Sequence, residues 1–310
     1  MKDIIVGTRG SKLALAQSGL VVDKLASYFP DYNFKLKVIS TKGDRILDKA
    51  LSQIGGKGLF IKEIEIALLN REVDLAIHSI KDMPARLEEG LEIIGIPRRA
   101  NALDVLVSKD NLTLDDLPKG SRIGTGSLRR RAQILNYRSD LEVEPLRGNI
   151  DTRLKRVAEG DFDGIILAAA GLERIGWEDR ITQYINQNIS IPAVGQGALA
   201  IEGRSDDDAI KEVVEKLNDR PTIDTVKAER SFLDYLEGDC KVPIGAYGEV
   251  DGDKLILSGV IGKIDGSLLL KDSVKGSRSK GQDLGVELAK KLIDKGAKEI
   301  LEEIRRGEQR

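Results

Sequence analysis

Three short stretches carry side chains able to do chemistry. The first, EGDCKVPIGAYG at 237 to 248, holds the only cysteine of the chain. With no second cysteine, Cys240 cannot close an internal disulfide. Gly238, Asp239 and Lys241 place it in a charged, flexible turn. A thiol beside a lysine in such a turn is a nucleophile or an attachment point; the competing reading is a small buried hydrophobe. The second stretch, HSIKDMP at 78 to 84, follows a strand pattern and sets Lys81 beside Asp82 in a loop. At the C-terminal end of a strand facing a cleft, such a pair contacts substrate; anywhere else it is an ordinary surface pair. The third runs from Arg122 to Arg156, with eight Arg and one Lys against four acids, a local excess of +5 in a chain of net charge -2. Three readings compete for it. It can be a solvated helix face, with Arg131, Arg138 and Arg156 as members. It can be a nucleic-acid surface, although Tyr137 is its only aromatic and stacking needs more. It can be a site for a small polyanion whose carboxylates guanidinium forks grip in pairs. Arg129 and Arg130 at a helix start, and Arg147 in the loop RGN, suit the last.

Composition removes several chemistries. One histidine and one cysteine cannot build a common zinc site, and no metal is expected. A serine triad would have to use His78, and nothing near it resembles a nucleophile elbow. GTGSLRR at 124 to 130 lacks the third glycine of a dinucleotide loop, and GxxxxGK[ST] does not occur. The longest uncharged apolar run, Gly164 to Leu172, is far shorter than the roughly 20 residues a bilayer needs. MKDIIVGTRG enters a strand pattern directly and shows no export signal. A cytoplasmic monomer with no nucleic-acid or membrane partner is the expectation.

The elements that must position these residues alternate. Strands are expected at Ile4–Thr8, Phe34–Ser40, Val73–His78, Leu91–Ile96, Val105–Ser108, Arg122–Thr125, Leu141–Glu144 and Gly164–Ala168. Amphipathic helices are expected at Leu13–Tyr28, Phe60–Asn70, Ser127–Tyr137 and Ile150–Ala158. The fold class is therefore α/β with mainly parallel sheets. VGTRGSKLALAQ at 6 to 17 and IGTGSLRRRAQ at 123 to 133 share strand, Gly-Thr, serine and helix, which predicts two similar lobes around a cleft. Each offers a serine and free N–H groups at a helix N-terminus, where anions bind. GGKGLF at 55 to 60 reads as a linker or a lid. The chain crosses between lobes near 97–102 and returns through 191–204, with Ala198–Glu202 as a strand. After residue 220 a helix (Thr222–Leu236), three strands (Tyr247–Val250, Lys254–Ile261, Ser267–Ser273) and a last helix (Asp283–Ile304) make a small α+β domain with an antiparallel three-stranded sheet. The expected division is 1–99 with 198–219, then 100–197, then 220–310.

RGSKLALAQ from Arg9, GKGLF from Gly56, HSIKDMP from His78, GTGSLRR from Gly124, RGNIDTR from Arg147, AGLER from Ala170, PAVGQG from Pro192 and ERSFLDYLEGDCKVPIGAY from Glu229 together resemble porphobilinogen deaminase (hydroxymethylbilane synthase). The resemblance runs in order from about residue 4 to 250. It implies periplasmic-binding-protein-like lobes and a transferase of porphyrin biosynthesis. It also implies a dipyrromethane cofactor joined by a thioether to Cys240, and porphobilinogen as the small-molecule substrate. Four porphobilinogen units are added to this primer with loss of ammonia, and hydrolysis then releases hydroxymethylbilane. By the same resemblance Arg9, Arg129, Arg130, Arg147, Arg153 and Arg174 bind carboxylates, with Lys81, Ser11 and Ser127 beside them. Gln17, Lys57, Phe60, Thr125 and Gln196 are further supporting candidates. Asp82 is the catalytic residue: a carboxylate beside the pyrrole N–H stabilises the cation formed when ammonia leaves. Each pyrrole carries two carboxylates, which accounts for so many arginines in a chain of balanced charge. A solute-binding protein would use the same two lobes, but the cysteine loop has no place in it.

Overall fold

The computed structural model describes residues 2–45, 61–84, 87–237 and 242–307. Lys57, Phe60 and Cys240 lie outside them. The chain divides into two compact units, Met1–Ala100 with Gly197–Ile223 and Asn101–Gln196 with Asp224–Arg310.

The first unit opens with β1 (Lys2–Thr8), α1 (Lys12–Tyr28), β2 (Tyr32–Val38), α2 (Lys42–Arg45), α3 (Lys62–Leu69), β3 (Leu75–Ser79) and β4 (Leu91–Gly95). The second then supplies β5 (Asp104–Ser108), β6 (Arg122–Gly124), α4 (Leu128–Tyr137), β7 (Glu142–Glu144), α5 (Ile150–Ala158), β8 (Gly164–Ala168), α6 (Ala169–Glu173) and β9 (Gln183–Ile185). β10 (Leu199–Arg204) and α7 (Asp208–Glu215) return to the first unit. α8 (Arg220–Tyr235) leads to β11 (Ile244–Asp251), β12 (Lys254–Gly262), β13 (Leu269–Ser277), α9 (Gly281–Leu292) and α10 (Lys298–Gly307).

The two five-stranded sheets run β2-β1-β3-β10-β4 and β7-β6-β8-β5-β9. In each, one strand next to an edge is reversed. β10 is antiparallel to β3 and β4, and β5 is antiparallel to β8 and β9, while the remaining pairs are parallel. Helices cover both faces, so the central strands read as nearly unbroken apolar runs. In the first unit Ile4, Val6, Leu75, Ile77 and Ile201 pack on Val21 and Leu25 of α1 and Val213 and Val214 of α7. The opposite face, through Ala76, meets Ile64, Ala67 and Leu68 of α3. In the second unit Val105, Ile165 and Leu167 pack with Phe162 and Leu172, and Leu106, Ile123 and Ile166 pack with Ile134 of α4. β11, β12 and β13 form the expected antiparallel sheet and bury Ala246, Leu257 and Val274 against Leu288 of α9 and Phe232 of α8.

Three features differ from the sequence expectation. The last helix is broken: Gly296 takes φ 99°, a left-handed value that ends one helix and starts the next. α7, whose Asp207 cap accepts the Ile210 N–H at 3.3 Å, was absent from the expectation. α6, which follows the expected strand β8 without a break, was likewise absent from the expectation.

Candidate active site

In the first unit β1 and β3 are parallel neighbours, so their C-terminal ends emerge at one edge of the sheet. Arg9, Gly10 and Ser11 follow β1. Ser11 Oγ accepts the Ala14 N–H at 3.3 Å and caps α1. Fully buried Thr8 anchors the turn from within, accepting from Ser18 Oγ at 2.7 Å and donating to the Ala14 carbonyl at 3.3 Å. After β3 a single 3-10 turn, Ile80–Asp82, holds Lys81 and Asp82. Ile80 is buried and its N–H donates to the Ala198 carbonyl at 3.1 Å; the Met83 N–H closes on the Ile80 carbonyl. The apolar residue thus pins the turn while Lys81 stays half-buried and Asp82 is exposed. Gln17 of α1 donates through Nε2 to Ser79 Oγ at 3.1 Å, so the helix begun by Ser11 is tied to the turn bearing Asp82. Behind that turn lies a buried acidic group. His78 Nε2 and Glu202 Oε2 are 3.0 Å apart, without the alignment of a hydrogen bond. Glu65 of α3 has its carboxyl pushed up by burial, then by the charge of Glu202, with a hydrogen bond from the Glu88 backbone opposing.

The second unit repeats the local device. β6 ends at Gly124, Thr125 Oγ1 accepts the Ser127 N–H at 3.3 Å, and Ser127 Oγ accepts the Arg130 N–H at 3.4 Å to cap α4. The first turn of α4 then carries Arg129 and Arg130, both buried. Their guanidinium groups converge on Asp104, the first residue of β5, which has no exposure. Arg129 Nη1 and Nη2 donate to its two oxygens at 2.7 and 3.1 Å, and Arg130 Nε donates at 2.8 Å. Ser190 Oγ and Gln196 Nε2 add bonds of 2.7 and 2.9 Å. Burial alone pushes the Asp104 carboxyl up, but Arg129 and Arg130 outweigh it and hold it well below the usual carboxylate range.

Arg147 and Arg153 complete a cationic cluster. Arg153, whose Nε donates to the Gly148 carbonyl at 2.8 Å, is pushed down to about 10 by burial and by the charges of Arg130 and Arg147. Burial lowers Arg147 as well. Among the described residues no carboxylate pairs with Arg147 or Arg153. Arg174, which ends α6, is pushed down to about 10 by burial, with Glu173 opposing. A partly buried cluster of like charge favours an anionic ligand, and a group bearing several carboxylates fits it. β11 is fixed to this site: a Cβ on Gly245 would lie 2.8 Å from the Pro192 carbonyl oxygen and 2.9 Å from Arg129 Cδ.

One sequence expectation is corrected here. Arg138 is not on a solvated face. It donates to the carbonyls of Leu114, Asp115 and Leu117 and pairs with Asp140 through two nitrogens, at 2.8 Å each. A helix C-terminus beside a loop rich in unpaired carbonyls gives a guanidinium more bonds than water does. Arg156 is exposed and pairs with Asp161; Arg131 is half-buried with its Nε shielded from solvent. Asp104 and Glu202 are the site-forming residues that the sequence reading missed. An acid inside an otherwise apolar strand, as in LDVLV and ALAIEG, is the signal that marks them.

Among the described residues no helix is long and apolar enough to cross a membrane, and no cluster of His, Cys, Asp and Glu can hold a metal ion. The family described as "Porphobilinogen deaminase, dipyromethane cofactor binding domain" matches residues 4–212, and "Porphobilinogen deaminase, C-terminal domain" matches 223–294. Porphobilinogen deaminase of Brevibacillus brevis is 52% identical over 304 residues, covering 97% of each chain. That of Oceanobacillus iheyensis is 50% identical over 306 residues, covering 98% of each. A solved structure similar in fold is the probable amino-acid ABC transporter extracellular-binding protein of Bacillus subtilis, at 12% identity over 70% of this chain and 90% of that one, with a TM-score of 0.41; it carries no weight in the assignment. Matched along nearly its whole length by both parts of one family, the chain belongs to the porphobilinogen deaminase family.

Proposed function

We propose that the chain condenses four porphobilinogen molecules head to tail on a dipyrromethane held by a thioether to Cys240, then releases hydroxymethylbilane by hydrolysis, as a transferase. Porphobilinogen deaminase function in tetrapyrrole biosynthesis, with a dipyrromethane-binding domain, comes with family membership; the residue roles are our reading. The observation that carries it is the Arg130, Arg147 and Arg153 cluster, an excess of partly buried cation matched to a ligand with many carboxylates. When bound, the dipyrromethane supplies the pyrrole carbon to which the first substrate is joined.

The chain's own residues do the rest. Arg130, Arg147, Arg153 and Arg174, with Ser127, hold and orient carboxylates in the second unit, while Arg129, bound to Asp104 and the Ile191 carbonyl, supports them from behind. Arg9, Ser11 and Lys81 do so in the first. Asp82 lies on a turn pinned by buried Ile80, which fixes its backbone while leaving the carboxylate exposed. There it offsets the positive charge on the substrate's pyrrole nitrogen as ammonia leaves, a charge present only in the transition state and after. Division of the chain into 1–99 with 198–219, 100–197 and 220–310 is part of the proposal, with the last part anchoring the cofactor. So are a monomeric, cytoplasmic state and the lack of nucleic-acid or membrane partners.

Intact-protein mass tests the anchor. The wild-type chain, made with an intact tetrapyrrole pathway, should exceed 33.9 kDa by two linked pyrroles, and Cys240→Ser should remove the added mass and the activity together. A wild-type protein at the bare chain mass overturns the assignment of Cys240.

A further inference from the structure

Asp104 accepts five hydrogen bonds with no exposure to solvent. A buried carboxylate persists only when paired and fully bonded, and this one is paired with two adjacent arginines that are not equivalent. Arg129 spans both carboxylate oxygens, and its Nη1 also lies 2.6 Å from the Ile191 carbonyl oxygen and 3.3 Å from Ser190 Oγ. Among the described residues its Nε, shielded from solvent, has no hydrogen-bond partner, and its Cδ is packed beneath Gly245. Arg130 meets Asp104 through Nε alone. It spends one further N–H on the Ile166 carbonyl at 2.9 Å and one on Gln196 Oε1 at 3.3 Å. Among the described residues, two of its five N–H groups are thus left over. Arg130, not Arg129, is also the charge felt at Arg153.

We propose that Asp104 is a positioning residue for the arginine cluster and that the two adjacent arginines divide the work. Arg129 locks Asp104 to the 190–191 backbone, while Arg130, aimed by the same carboxylate, contacts the carboxylates of an acidic pyrrole ligand together with Arg153. The buried anion lets two guanidinium groups sit side by side and leaves one net positive charge from the trio for the ligand. This rests on the reading that the cluster holds ligand carboxylates.

The test compares Asp104→Asn, Arg129→Gln, Arg130→Gln and the double variant Asp104→Asn/Arg129→Gln. Melting is measured in the Cys240→Ser background, where no cofactor can contribute. The fraction of chains carrying the dipyrromethane mass, and KM against kcat, are measured with Cys240 present. Asp104→Asn and Arg129→Gln should each lower the melting temperature, with the double variant little worse than either, because both break one unit. Arg130→Gln should melt closer to wild type, load at least tenfold less cofactor, and raise KM more than it lowers kcat in the loaded remainder. Additive losses in the double variant, wild-type melting of Arg129→Gln, or normal loading of Asp104→Asn would overturn the proposal. Should Asp104→Asn fail to fold, Arg129→Lys and Arg130→Lys make the same comparison. Lysine cannot span two oxygens at 129 but keeps the charge at 130, so only the second should load, and equal loading overturns the division. Wild-type loading in both Arg130→Gln and Arg153→Gln would sink the underlying reading. Loss in those two, with Asp104→Asn and Arg129→Gln like wild type, would sink this inference alone.

Discussion

Ser11 and Ser127 do the same job in two places. Each follows a strand with Gly-Thr at its end, Gly7-Thr8 closing β1 and Gly124-Thr125 where β6 stops, and each caps a helix with its hydroxyl. Beyond the cap the two units part. In the first, the candidate acid Asp82 sits exposed on the neighbouring strand's turn. In the second, the helix itself carries Arg129 and Arg130 into the interior, against Asp104. The difference matches the roles we propose for each group. A carboxylate that meets a transient cation has to reach substrate. Arginines that hold a ligand through several steps gain from being fixed beforehand, because less ordering remains to be done on binding. One strand order, used twice, supports an exposed acid in one unit and a buried base cluster in the other.

The largest effect that would sharpen this contrast is expected at Asp82. Asp82→Asn keeps the shape but not the charge, and should slow single-turnover ammonia release by on the order of 10²–10³, the scale seen when one charge-stabilising group is removed. Glu, with the charge displaced by one methylene, should fall between Asp and Asn. Ammonia release near wild type in the Asn variant would remove the electrostatic role.

Next in size is the pair Arg153→Gln and Arg138→Leu, two arginines of the same basic stretch. Loss of a charge-assisted contact is worth about 1.5–3 kcal/mol, or about 10- to 100-fold in affinity. At Arg153 the loss should appear in cofactor loading and KM. At Arg138 a similar loss should appear in melting alone, with activity per folded molecule unchanged, because its bonds hold the 114–117 loop and Asp140. A loading defect in Arg138→Leu would erase the distinction.

The smallest effect concerns Glu65. Its folded pKa is raised above the unfolded 4.5 by burial and by the charge of Glu202. Ionised Glu65 therefore costs stability that sets in as pH rises from 4.5 through the folded value. Glu65→Gln should melt higher than wild type at pH 7, with the gap closing toward pH 4. A gap that widens on acidification would contradict the burial assigned to that carboxyl.

How much of this is legible in the sequence depends on how far apart the partners are. β8 and α5 lie where apolar runs and periodicity put them, because each is decided by a few adjacent residues. The capping serines are legible for the same reason. Asp104 is legible only in part: an acid within the apolar run LDVLV marks the position, but its partners stand 25, 26, 86 and 92 residues away and cannot be read from it. Arg138 fails similarly, since spacing along α4 cannot show that a loop 21 to 24 residues earlier turns its carbonyls toward it. Gly296 was hidden within a helical pattern that continues on both sides.

The division between an acid that reacts and arginines that hold is tested most directly by intact-protein mass on Asp82→Asn and Arg153→Gln, expressed side by side. The account predicts that Asp82→Asn carries the full dipyrromethane mass, alone or with pyrrole units it cannot process further, while Arg153→Gln is found mostly at the bare chain mass. Bare Asp82→Asn together with fully loaded Arg153→Gln would contradict it.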